Sequence, residues 1–179
     1  NGDYHTDVNI EMNYWLAEVT NLPEMHMPLF DLIESFIEPG EKTAKIQYHN
    51  NGWVIHPITN VWGYTSPGES ASWGMHTGAA AWICSHIGDH YAFTGDKEFL
   101  KRMYPVLKGS VEFYMDWLVK DPKTGEYVSG PAVSPENTFL APDGSKSQFS
   151  MGPSHDQQVI WQLFTDFIFA SNELEVKDN

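Results

Sequence analysis

The chain has 179 residues, 41% hydrophobic and 14% aromatic, with 24 Asp and Glu against 10 Lys and Arg for a formal charge of -14. That length can bury a sizeable core and fits one domain or part of a larger one. So acidic a chain repels phosphate backbones and anionic lipid, which argues against nucleic-acid and membrane partners, and a single cysteine, Cys84, permits neither an intrachain disulfide nor a zinc–cysteine cluster.

Val8, Met12, Trp15, Leu16 and Val19 recur at helical spacing and predict a helix from about Val8 to Val19, with Asp7 or Asn9 where its N-cap would stand. A second helix is expected from Met27 to Glu38, with Pro28 tolerated in its first turn. Pro39-Gly40 should stop it before a short helix from Glu41 to Gln47. From Gly52 to Gly68 the residues Trp53, His56, Pro57, Asn60, Trp62 and Tyr64 keep no period, and a loop this long in a compact domain is usually functional. The third helix begins at Trp73 or Thr77 and reaches Phe93. Its run Gly78, Ala79, Ala80, Ala81 allows close packing inside the fold, and Thr94-Gly95 ends it. Asp96 should cap a fourth helix, Lys97 to Val119, kinked at Pro105 and turning Lys97, Glu98, Lys101, Arg102 and Lys108 to solvent. Asp121 to Gly130 reads as a tight hairpin around Lys123-Thr124-Gly125, and a polar stretch from Ala141 to Ser154 precedes a last helix, His155 to Glu173.

Gly130 to Phe139 stands apart. Pro131 and Pro135 fix their own φ and keep Gly130 and Ser134 out of the α region, so this is a loop, and it presents Glu136. Trp117 and Trp161, on the helices either side, offer aromatic surface of the kind sugars stack on, although a turn with a solvated acid is the plainer reading. Helix pairs joined alternately by long loops and short turns describe an all-α fold, a helical toroid of which residues 1–179 form about half the ring. If the first, third and fifth helices are the inner ones, then His5 to Asn9, the loop from Trp53 to Trp73, and Glu136 gather at one mouth. The chain opens Asn1, Gly2, Asp3 without an initiator Met and ends Val176, Lys177, Asp178, Asn179 just past a helix, which fits a piece of something longer. No apolar run approaches the roughly 20 residues that span a bilayer, and no signal segment opens the chain.

Glu136 and Asp7 are the carboxylates best placed at that mouth. Glycoside hydrolysis needs one carboxylic acid for the leaving oxygen and a base for water on the opposite face. Asp7 serves equally well as an N-cap, Asn9 as an ordinary first-turn residue, and His5 as a surface histidine. The segment His86, Ile87, Gly88, Asp89, His90 puts two histidines on one helical face and resembles an inverted zinc-protease motif, but it lacks the catalytic Glu, and histidines late in a helix also suit its negative end.

Tyr4-His5-Thr6-Asp7-Val8-Asn9 followed by Glu11-Met12-Asn13-Tyr14-Trp15, then Trp62-Gly63, Gly78-Ala79-Ala80-Ala81-Trp82, His90-Tyr91-Ala92-Phe93-Thr94-Gly95-Asp96 and Ser134-Pro135-Glu136-Asn137, resemble glycoside hydrolase family 95 over nearly the whole chain. The resemblance implies an (α/α)6 catalytic barrel, of which this chain is a part, with further helices and accessory β-domains outside it. It also implies α-L-fucosidase activity on fucosylated glycans, with α-L-galactosides as the alternative, an inverting mechanism without metal or cofactor, and a periplasmic or extracellular setting. A carbohydrate-binding helical domain without catalysis is the rival from another class. By the resemblance Glu136 matches the general acid, Asn9 the second of two asparagines that handle the attacking water, and His5 a substrate-binding histidine, with Trp62, Trp73 and His76 as further candidates for the substrate. The sequence departs from the family pattern at Asp7, where the first asparagine would stand, and at His76, near which many members carry Trp.

Overall fold

The computed structural model describes residues 3–68 and 70–177. Asn1-Gly2 and Asp178-Asn179, part of the expectation about the chain ends, lie outside the described residues. The chain is mostly helical, as expected, with short two-residue strands in its loops. In order these are β1 (Tyr4–His5), α1 (Asn9–Val19), a single 3-10 turn at Pro23–Met25, α2 (Met27–Ser35), α3 (Ile37–Thr43) running into a π turn at Ala44–Tyr48, β2 (Ile58–Thr59), α4 (Ala71–Gly74), α5 (Ala79–Thr94), α6 (Lys97–Trp117), β3 (Val119–Lys120), β4 (Tyr127–Val128), β5 (Ala132–Val133), β6 (Phe139–Leu140), β7 (Lys146–Ser147), β8 (Phe149–Ser150) and α7 (Ser154–Glu173). No helix among the described residues is long and apolar enough to cross a membrane.

The core lies among α5, α6 and α7, which pack on one another, with α1 and α2 against the α5 side. Ala79, Ala80, Ala81, Ile83, Cys84 and Ile87 are buried, so the small-residue helix is the interior one, and burial pushes the Cys84 thiol up to about 12. α6 is amphipathic. Phe99, Leu100, Met103, Val106, Leu107 and Phe113 face inward while Lys97, Lys101 and Arg102 stay outside, Arg102 pairing with Asp31 and Glu34 of α2. Asp96 caps α6 as its side chain suggests, its Oδ1 accepting from the amides of Glu98 and Phe99 at 3.0 Å each.

Three expectations change. The second helix breaks at Phe36 and not at Pro39-Gly40. Pro39 instead occupies the first turn of α3, where its missing N–H would have had no intrahelical partner. The third helix starts at Ala79, because the buried Tyr114 hydroxyl of α6 donates to the Thr77 carbonyl at 2.5 Å and accepts from the Ala81 amide at 3.1 Å, replacing a capping side chain at that point. In α1 the apolar stripe Met12, Trp15, Leu16 and Val19 is exposed, while Ile10, Glu11, Ala17 and Glu18 form the buried face. Glu18, on that buried face, bonds His26 and His90.

The predicted hairpin is present: β3 pairs antiparallel with β4 around a turn in which Asp121 Oδ1 accepts from the Lys123 and Thr124 amides. Beyond it, β5 pairs with β8 and β6 with β7, so the stretch expected to be only loop is a folded excursion from the helical body.

Candidate active site

The segment before α1 is fastened to the long loop that follows α3. β1 and β2 pair with His5 opposite Ile58, the Thr6 amide donates to the Pro57 carbonyl at 2.9 Å, and the Thr6 hydroxyl donates to the His56 carbonyl at 3.0 Å. The loop is itself held. Buried Trp53 donates its indole N–H to the Val106 carbonyl at 2.9 Å, and burying an aromatic side chain of that size contributes about 3 kcal/mol. His56 links Tyr48 and the Thr65 carbonyl at 2.6 and 2.7 Å, and burial pushes its pKa down to about 4, so it stays a neutral strut. At the far end Gly68 and Gly74 pass so close that a Cβ on Gly74 would sit 2.7 Å from the Gly68 Cα, and this contact sets Trp73 against the loop.

Glu136 arrives from the opposite side. It lies in the connection from β5 to β6, in a turn closed by the Asn137 amide donating to the Ser134 carbonyl at 2.7 Å, with Pro135 in the second position, where its fixed φ suits a turn. A cavity of about 620 Å³ opens between the two segments, walled by His5, Asp7, Ile58, Tyr64, Trp73 and Glu136 among others. Three of the stretches expected at one mouth therefore meet, and Glu136 is exposed to the cavity's solvent.

Not every candidate joins them. Asn9 lines a neighbouring hollow with Tyr4, Asn13 and His5, and His5 alone of the three segments' candidates borders both spaces. Trp62 is 90% exposed outside the cavity. Trp117 packs on Tyr48 and Phe113, and Trp161 walls a separate groove with Tyr127 and Gln157, so neither tryptophan flanks Glu136. No side chain caps α1, whose cap position is Val8, so Asp7 does not serve as its N-cap.

His76 is fully buried beneath the cavity wall, among groups that sequence reading did not single out. Its Nδ1 lies 3.3 Å from Oδ1 of buried Asp156, and His155 Nδ1 lies 3.8 Å from the same oxygen, both without hydrogen-bond geometry. Burial lowers the His76 pKa, partly offset by the charges of Asp156 and Asp7. Glu11, in the first turn of α1, is also fully buried, and desolvation raises its pKa to about 8, with Asp7 adding to the rise. His155 and Asp156 open α7 and His76 stands just before α5, so the starts of α1, α5 and α7 converge here; no periodicity in the sequence could have reported that.

His86 and His90 belong to a different cluster. Glu18 Oε1 accepts from His26 Nδ1 at 2.7 Å and from His90 Nδ1 at 2.6 Å, which leaves His26 Nε2 to accept from His86 Nδ1 at 2.8 Å. Burial pushes His86 down to about 4 and lowers His26, so these imidazoles are neutral links between α1, α2 and α5. Contacts of this length are hydrogen bonds. Glu18, His26 and His90 are also close enough to ligate one ion, but here their atoms satisfy one another, and the segment lacks the catalytic Glu of a zinc protease.

Two carboxylates on separate loops across one polar cavity, with an aromatic wall, form an arrangement suited to acid–base chemistry on a bound neutral ligand. All of residues 1–179 match the Glycosyl hydrolase family 95 catalytic domain, and the chain belongs to that family. It is 39% identical over 175 residues to Alpha-L-fucosidase 2 of Arabidopsis thaliana and 36% identical over 169 residues to Probable alpha-fucosidase A of Aspergillus niger. These alignments cover 97% and 91% of this chain but 21% of each relative, so the chain spans about a fifth of their length.

Proposed function

We propose that the protein is an inverting α-L-fucosidase that removes terminal α-linked L-fucose from glycans, and that residues 1–179 are part of an (α/α)6 catalytic domain completed by further helices. The observation that carries this reading is the meeting of Asp7 and Glu136 across one cavity in a chain of this family. The exposed apolar stripe of α1 also supports it, since Met12, Trp15, Leu16 and Val19 form the kind of surface that further helices of a barrel would cover. On the family resemblance the enzyme works in the periplasm or outside the cell.

In this mechanism Glu136 donates its proton to the departing glycosidic oxygen while a water attacks the anomeric carbon from the opposite face. Asp7 holds that water, whose proton passes to a carboxylate supplied by the rest of the catalytic domain, and the configuration inverts. Asn9 lines the adjoining hollow and meets the site through His5, which borders both, so its amide orients the water or a sugar hydroxyl from that side. Trp73 supplies the apolar face for the sugar ring. The test is Glu136→Gln in the full-length enzyme, assayed on a natural fucoside and on a nitrophenyl fucoside. The natural substrate, with its poor leaving group, should lose roughly a thousandfold or more in kcat, and the activated one much less. Equal and small losses on both would remove Glu136 from the acid's role.

A further inference from the structure

We propose that Asp7, His76 and His155, backed by Asp156, form a binding site for one divalent transition-metal ion of the zinc type. Each of the first three offers a ligand atom, and these atoms lie within 4.8 Å of one another. They come from three separate segments, the starts of α1, α5 and α7, so the convergence is tertiary and not a by-product of one helix. Among the described residues, neither nitrogen of His76, neither nitrogen of His155 and neither oxygen of Asp156 has a hydrogen-bond partner, although His76 and Asp156 are fully buried. Buried polar groups are otherwise almost always satisfied, and a carboxylate and two imidazoles with ligand atoms this close, beside a second carboxylate that bonds neither imidazole, are what a cation requires.

Charge and space agree with this assignment. Asp7 and Asp156 bring two negative charges, which match a divalent ion held with neutral imidazoles, and nitrogen ligands favour zinc-like ions over Mg²⁺ or Ca²⁺. At Gly78 a Cβ would stand 2.6 Å from the His76 ring and 3.0 Å from Asp156 Oδ1, so only glycine leaves this cluster its room. The ligand atoms, within 4.8 Å of one another, stand wider than the edge of a zinc tetrahedron, about 3.3 Å, so binding draws these side chains together. Asp7 alone of the four lines the cavity, so a bound ion would hold in place the carboxylate that faces Glu136.

The inference does not rest on the hydrolase reading, and its test reads metal and not turnover. The full-length protein, stripped with a chelator and dialysed, is titrated with Zn²⁺ by calorimetry and separately loaded with Co²⁺ for visible spectroscopy. One Zn²⁺ per chain and the absorption bands of low-symmetry Co²⁺ are expected, with Mg²⁺ and Ca²⁺ failing to compete. His155→Ala, at a partly exposed position, and Asp7→Asn should each weaken Zn²⁺ binding by at least about tenfold while circular dichroism stays unchanged. Absence of stoichiometric Zn²⁺ in the wild type overturns the proposal, and so does a wild-type site that both folded variants retain in full. If His155→Ala does not fold, Asp7→Asn and the Co²⁺ spectrum of the wild type decide alone.

Discussion

Glu18 accepts imidazole N–H bonds from His26 and His90 at 2.7 and 2.6 Å, whereas Asp156, at least as deeply buried, lies 3.3 Å from His76 and 3.8 Å from His155 without bonding either. Both clusters combine histidines with carboxylates, and both tie α1 to α5 or its approach. They differ in what satisfies them. In the Glu18 cluster Glu18 Oε1, both nitrogens of His26 and the Nδ1 atoms of His86 and His90 bond one another, so its free energy is spent on holding helices together. In the Asp156 cluster the partners are present but do not bond, and it adjoins the cavity that contains Glu136 through Asp7, which lines that cavity and lies beside His76 and His155. The contrast separates a cluster held by its own hydrogen bonds from one that is not, although the residue types are the same.

The largest expected effect is on the cavity side. Asp7→Ala should lower kcat of the full-length enzyme roughly a thousandfold with little change in melting temperature, while Asp7→Asn, which restores the family's commoner residue, keeps substantial activity. Parallel loss of stability and activity in Asp7→Ala would erase the distinction between the two clusters. Next in size is Glu18→Ala, which strands two buried imidazole N–H groups and should cost about 3 kcal/mol by chemical denaturation, with kcat of the folded fraction unaltered.

The Glu18 cluster should also be acid-sensitive. His86 takes up its proton near pH 6.5 when unfolded but only near pH 4 when folded, so the unfolded state binds more protons in that window and stability falls as pH drops through it. At pH 5 the loss from this residue is about 2 kcal/mol. His86→Gln should therefore lose less stability than the wild type between pH 7 and pH 5, and identical losses would remove His86 as the cause. Asp96→Ala, remote from both clusters, sets the scale of an ordinary local contact at about 1 kcal/mol, measured as a shift in denaturation midpoint.

Much of this was legible in the sequence because it depends on neighbours in the chain. The cap at Asp96, the stop at Gly95, the turn around Gly125, the non-helical presentation of Glu136 just after two prolines and the interior position of Ala79 to Ala81 all follow from backbone preferences acting over a few residues, and the quoted motifs sufficed for the family. What the sequence could not determine was which face of α1 packs on α5. Its apolar stripe suggested one side, and the bonds of Glu18 to histidines 8 and 72 residues further along place the other side there. The same limit applies to Asp156 and His155, which read as the unremarkable first turn of a helix until the starts of α1 and α5 are brought beside them. Hydrogen bonding and desolvation act through distance in space, so the environment of a buried carboxylate, and hence whether it packs, binds or reacts, was decided only when the tertiary structure chose its neighbours.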